Sequence, residues 1–125
     1  MEQSASKVDA KIIVFGKGEL KAEVFRHLAP ITVNKIINKM PIYGRISKLN
    51  DNIVCILTQI LTGIEKGETK FLKGDIAFLP LNGSICIFLK ESTSVRRMSL
   101  IGKVISSLET LDKCGPGDTV TLDKV

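Results

Sequence analysis

One histidine, His27, and three cysteines, Cys55, Cys86 and Cys114, make up all the imidazole and thiol chemistry in this 125-residue chain. Ser84, Ser92, Ser94 and Ser99 have no histidine near them in the sequence, so a serine nucleophile lacks a base to take its proton. A lone histidine with isolated carboxylates supplies no three-ligand metal set, and neither a metal nor another cofactor is expected. Asp75, after Gly74, has the type of a general base, but a Gly-Asp pair more simply opens a strand by turn chemistry. Gly16-Lys17-Gly18 is not a phosphate loop, because the Gly-Lys-Ser/Thr ending and the helix after it are missing. The cysteines are far apart, odd in number and form no CxxC pair, so neither a disulfide framework nor a zinc site is expected. Cys55 and Cys86 lie in apolar strand-like runs, where a free thiol behaves as a small hydrophobe. Cys114, beside Gly115 at a helix end, is expected to be the more exposed one, and that end of a helix disfavours a thiolate.

The net charge is +5. An anionic partner such as nucleic acid is one reading of that balance. A lysine-rich surface that keeps a small protein in solution is the simpler one. Like charges come only as near neighbours, Lys35 with Lys39, Arg45 with Lys48 and Arg96 with Arg97, so nucleic acid is not the expected partner. Tryptophan is absent, and Phe15, Phe25, Phe71, Phe78 and Phe88 sit in apolar segments that read as core rather than as stacking platforms for bases. The cysteine usage fits a reducing compartment, residues 1–9 are too polar for a signal peptide, and no apolar run approaches the ~18 residues of a membrane span. A soluble cytoplasmic protein without a membrane partner is expected.

The elements that would hold any site can be read from periodicity. A flexible polar leader is expected over residues 1–10 and a single domain over 11–125. Residues 11–15 and 20–24 read as a hairpin about the Gly16–Gly18 turn. Pro30 opens a helix whose stripe is Val33, Ile36, Ile37 and Met40, and Pro41 ends it. Strands follow at 42–46 and 53–57, with Asn50-Asp51-Asn52 as the turn. Residues 58–70 carry loop signals and are expected to be the most flexible internal stretch. Strands at 76–79 and 84–89 flank a PLNG turn, the second being apolar on both faces and hence central. Residues 90–98 read as a basic surface loop. Ser106 and Glu109 form a capping-box pattern for a last helix, with Gly115 as its left-handed end and Pro116 as its stop; Val120 and Leu122 mark a closing strand. Seven or eight short strands with two short helices leave no room for βαβ crossovers and point to a closed barrel, which also removes exposed strand edges.

Three stretches resemble the cyclophilins: residues 28–37 (LAPITVNKII), 74–90 (GDIAFLPLNGSICIFLK) and 100–125 (LIGKVISSLETLDKCGPGDTVTLDKV). The middle one is similar to a phrase found in small prokaryotic cyclophilin-like proteins of unknown function. The resemblance implies a mainly β fold, a cyclophilin-like barrel of about eight strands covered by two short helices. It also implies a groove beside residues 42–47, with the loop 58–70 and the segment 78–87, in which Tyr43, Arg45, Gln59, Phe78 and Asn82 would meet a ligand. Arg45 is the candidate catalytic residue, since it follows Tyr43-Gly44 about where the cyclophilin arginine follows an aromatic residue. Such a guanidinium would bond the prolyl amide nitrogen and lower a rotation barrier of ~20 kcal/mol. The departures are plain: no tryptophan, a histidine in the wrong region, and Leu28 where an acidic residue precedes Ala-Pro.

The expectation is therefore a non-catalytic module that binds a peptide or small molecule, with a divergent prolyl isomerase as the alternative and a basic nucleic-acid-associated protein as the second. Self-association into a homodimer through exposed apolar strand stays open.

Overall fold

The computed structural model describes residues 6–125. Nine strands follow one another as β1 (Lys7–Val14), β2 (Gly18–Phe25), β3 (Ile42–Asn50), β4 (Ile53–Leu57), β5 (Glu68–Phe71), β6 (Asp75–Leu79), β7 (Ser84–Phe88), β8 (Ser92–Val104) and β9 (Thr119–Lys124). Among the described residues the short helices α1 (Pro30–Lys39) and α2 (Glu109–Asp112) lie between these strands. Every pairing is antiparallel. The order β2-β1-β9-β3-β4-β7-β6-β8 returns from β8 to β2 and closes an eight-stranded barrel. β5 is added outside, on β8 alone.

Closure rests on three residue pairs, Ala22 with Val104, Glu23 with Lys103 and Val24 with Gly102. A Cβ on Gly102 would lie 2.1 Å from the Glu23 carbonyl oxygen, so only glycine lets the two backbones meet. Ser106 Oγ extends the seam by accepting the Lys21 N–H at 3.0 Å.

Alternation sends Ile12, Val14, Leu20, Ala22, Val24, Val54, Ile56, Ile76, Phe78, Ile85, Ile87, Val120 and Leu122 into the barrel, where the α1 stripe Val33, Ile36, Ile37 and Met40 joins them. β7 is buried at all five positions, because the barrel wall has a second covered face. Ile53, Cys55, Ala77, Leu79, Cys86 and Phe88 form a smaller core with Phe71 of β5 and Met98 of β8, and Phe71 stacks on Phe88 with ring centroids 4.5 Å apart. The N-terminal half of β8, with β5, is therefore a two-stranded cover laid over β4, β7 and β6.

That cover corrects two expectations. Residues 90–98 are not a free loop: β8 begins at Ser92, and only Ser94 and Met98 of its outer half are buried, so too few apolar residues mark it as a strand. Residues 58–70 end in β5 and are pinned along their length. Thr58 Oγ1 donates to the Gly83 carbonyl at 2.7 Å and accepts the Ile60 N–H. The Lys35 ammonium reaches the Leu61 carbonyl at 2.7 Å, and the Glu65 N–H donates to the buried Ser99 hydroxyl at 2.8 Å. Ala29 offers α1 no side-chain cap; Glu65 supplies one from 33 residues away, accepting the N–H of Thr32 at 2.7 Å and of Ile31 at 3.2 Å.

Other differences are local. Lys7–Ala10, expected in the leader, pair with β2; residues 1–5 of that leader lie outside the described residues. Phe15 is 82% exposed rather than core. The capping box does not form: α2 starts after Leu108, Glu109 N–H goes to Ser107 Oγ, and Ser106 serves the seam. The left-handed glycine after α2 is Gly117 at φ +94, not Gly115. Cys114 is buried, its Sγ donating to the Thr110 carbonyl.

Two stability predictions follow from the seam and the distant cap. Gly102→Ala should cost about 3 kcal/mol or more in urea unfolding, because the clash is with backbone. Gly63→Ala, with nothing within 4 Å of its Cβ, should stay within about 0.5 kcal/mol of wild type; equal losses at the two positions would remove the seam from the account. For Glu65, burial pushes the carboxyl up, but the Thr32 and Ile31 N–H groups and the Lys66 charge pull it further down. A depressed carboxylate stabilises the fold above the unfolded pKa of about 4.3 and loses that contribution as pH falls through the folded value. Glu65→Ala should therefore be about 1 kcal/mol less stable near neutrality, and the gap should close in acid. A gap that is the same at every pH would count against the cap.

Candidate functional site

Two surface depressions border the residues singled out from sequence. The first lies between the start of β3 and the chain leaving β4. It is lined by Lys39, Pro41, Ile42, Tyr43, Leu57, Thr58 and Gln59 and has a volume of about 330 Å³. Tyr43 is exposed because its strand is covered on the barrel side only. Gln59 sits at φ +65, a left-handed conformation that residues other than glycine seldom adopt, and it is held there by the Thr58 hydrogen bonds to Gly83 and Ile60.

The second depression lies where the outer cover meets the barrel. Two adjoining hollows, of about 350 and 550 Å³, share Leu79, Leu81, Val95 and Arg96. Their floor is apolar, from Ile53 and Leu79 of the smaller core. The rim is apolar as well, with Leu49 52%, Leu81 65% and Val95 100% exposed. Each rim residue has a backbone cause. In β3 a register shift between Lys48 and Asn50 brings Leu49 out before the turn. Leu81 and Asn82 stand on the tight turn that ends at Gly83, whose φ of +70 suits glycine; a Cβ there would also meet the Ile60 carbonyl at 2.7 Å. In β8 the pairing with β5 runs from Thr93 opposite Lys70 to Met98 opposite Glu68, so residues 94–97 bulge. Ser94 Oγ accepts the Arg96 N–H at 3.2 Å and holds the bulge, which leaves Val95 and Arg96 at the groove.

The electrostatics of the groove are one-sided. Among the described residues its only charged lining residues are Arg96 and Arg97, and neither guanidinium makes an ion pair or hydrogen bond with any of them. Gly67 leaves room for the stem of Arg97, whose Cβ lies 3.2 Å from where a Gly67 Cβ would stand, and for the Ile64 side chain at 3.0 Å. A desolvated apolar bed beside an uncompensated guanidinium suits a ligand with an apolar body and an anionic end.

The five residues singled out from sequence do not form one site. Tyr43 and Gln59 share the first depression, and Asn82 lines the second. Arg45 is exposed two positions along β3 from Tyr43 and lines neither. Phe78 is fully buried inside the barrel and lines neither depression; truncating a phenylalanine so placed costs about 3–5 kcal/mol of stability. Not singled out from sequence were Leu49, Leu81, Val95 and Arg96, which line the second depression. The available signal was a leucine or valine at three turn-like, otherwise polar positions, together with the Arg96-Arg97 doublet. Among the described residues no cluster of three or more His, Cys, Asp or Glu could hold a metal, and no helix is long and apolar enough to cross a membrane.

Comparison with solved structures finds the same fold in two quite different settings. The hypothetical protein AF2241 from Archaeoglobus fulgidus superposes with a TM-score of 0.78 at 22% identity, over 96% of each chain. McbB, solved in complex with tryptophan, superposes with a TM-score of 0.77 at 12% identity, over 91% of this chain and 44% of that one. At these identities the likeness bears on the fold. No curated protein matches the sequence. The cyclophilin-like family matches residues 10–123, nearly the whole closed barrel, and this chain belongs to that family.

Proposed function

We propose that this cyclophilin-like barrel is a non-catalytic binding module, and that its ligand is a small molecule or peptide end with an apolar body and a carboxylate. The observation that carries the reading is the gathering of Leu49, Leu81 and Val95 around an arginine with no counter-ion among the described residues. Exposed apolar residues scattered singly need no explanation, whereas a contiguous patch with a polar anchor is the usual signature of a binding surface. Among the described residues the lining holds no carboxylate, imidazole or thiol to move a proton or attack a bond, and its buried serine, Ser94, already accepts a backbone N–H. McbB, which shares the fold, has been solved with tryptophan; that amino acid combines a carboxylate with a large apolar ring and is a natural first probe.

A thermal-shift screen tests this reading. Tryptophan, other aromatic or branched carboxylates and short apolar peptides with a free C-terminus go beside their methyl esters. Acids should raise the melting temperature, since a ligand at a hundred times its Kd adds about 2.7 kcal/mol to stability. Esters should do so far less. Arg96→Gln should weaken binding about tenfold, or about 1.4 kcal/mol, with little change in the unliganded melt. Acids and esters that shift alike, or binding indifferent to Arg96→Gln, would sink the proposal.

The isomerase alternative has a separate readout. Uncatalysed prolyl exchange takes tens to hundreds of seconds, so weak catalysis is easily seen. Arg45 stands apart from the Tyr43–Gln59 depression, and wild type and Arg45→Ala should leave the exchange rate of Xaa-Pro peptides at its spontaneous value. An acceleration lost in Arg45→Ala would replace the binding-module reading with a catalytic one.

A further inference from the structure

Cys55 and Cys86 face each other across β4 and β7, with their Sγ atoms 3.3 Å apart and both thiols free. The phase of the ladder can be fixed from its two ends. The Thr58 N–H donates to the Gly83 carbonyl and the Leu89 N–H to the Asn52 carbonyl, both at 2.8 Å. Hydrogen-bonded pairs recur at every second residue in an antiparallel ladder. Counting inward from either end makes Ile56 with Ile85 and Val54 with Ile87 the hydrogen-bonded pairs. Cys55 with Cys86 is then a non-hydrogen-bonded pair, the kind whose Cα atoms stand about 4.5 Å apart, inside the roughly 4.4–6.8 Å that a disulfide spans. Closing the bond asks the sulfurs to move by only about an ångström.

The two thiols are not equivalent. Cys86 has no exposed surface, while Cys55 keeps a little. The Cys86 thiol hydrogen bond pulls the Cys55 pKa down against the effect of burial, and Cys86 is pushed up in turn. Cys55, the one with surface left to solvent, is thus the sulfur that an oxidant reaches first. Both sit in the small core under the β5–β8 cover, next to Ile53 and Leu79, which also form the groove floor. The groove wall is therefore the short way in for a small oxidant.

We propose that Cys55 and Cys86 are a redox modification site, oxidised by hydrogen peroxide to a reversible cross-strand disulfide. In the first step the Cys55 thiolate attacks one peroxide oxygen. The O–O bond breaks, hydroxide leaves and takes up a proton as water, and Cys55 becomes a sulfenic acid. In the second step the Cys86 sulfur attacks Cys55 Sγ, the S–O bond breaks, and the hydroxyl leaves with the Cys86 proton as water. Two thiols and one peroxide give one disulfide and two waters.

Intact mass and peptide mapping of peroxide-treated folded protein decide the matter. The wild type should become about 2 Da lighter, with Cys55 and Cys86 in one linked peptide, Cys114 as the remaining free thiol, and full recovery on treatment with dithiothreitol. Cys114→Ser should still lose the two hydrogens, while Cys55→Ala and Cys86→Ala should not. The proposal is overturned if the wild type stays fully reduced, gains only oxygen in steps of about 16 Da, or links Cys114 or a second chain instead. Mapping the wild type keeps this result independent of how well the variants fold.

Discussion

The approach of two backbones at Gly102 is the constraint on which the rest of the molecule depends. β8 meets β2 there over three residue pairs, with no room for even a methyl group. Without that seam the eight strands form an open sheet with two long apolar edges, which soluble proteins avoid. With it, the apolar faces of β1, β2, β4, β6, β7 and β9 share one interior, and α1 closes the side. The barrel is held by a short contact that a glycine makes possible and by the large apolar area that the contact allows to be buried.

The same strand then does a second task. β8 is 13 residues long, more than twice the length of β6 or β7, and its outer half leaves the barrel to pair with β5. That half covers the second face of the wall, so β4, β6 and β7 are apolar on both sides, and within it lies the bulge that presents Val95 and Arg96. Seam and groove are therefore two ends of one strand. The loop from β4 to β5 ties them together from outside: Glu65 caps α1 with its side chain and grips Ser99 of β8 with its backbone, while Ile64 beside it lines the groove.

Much of this was legible in the sequence. The α1 stripe, the first hairpin, the PLNG turn and the two-faced apolar run of β7 follow from local periodicity, which reports what a segment buries. Residues 58–70 and 90–98 were not legible for the converse reason. Their order comes from distant partners: a glutamate that caps a helix 33 residues away, a serine hydroxyl on another strand, and an outer half of β8 in which only Ser94 and Met98 are buried. Loop signals such as Thr62-Gly63 and Gly67 were real, but tertiary hydrogen bonds overrode the flexibility they usually imply. Ser106 failed as a cap because the seam claimed its hydroxyl.

The site was less legible than the fold, and the difference is physical. Resemblance transfers the course of the backbone, which is how Tyr43 and Gln59 came to share a depression. It does not transfer side-chain exposure. Phe78 has the right type for a wall of a groove, yet strand parity turns it into the barrel, while its neighbours Ala77 and Leu79 face the second layer. One step of parity decides whether an apolar residue of β6 builds the core or floors a groove. Parity in turn is set by the closure at Gly102 and by the register of β6 on β8, which shifts between Ile76 and Ala77. In this chain the position of the accessible surface therefore depends on how far β8 extends beyond the seam and what it covers. The cover leaves uncovered the strip between Leu49, Leu81 and Val95, and over it stands Arg96, which has no counter-ion among the described residues.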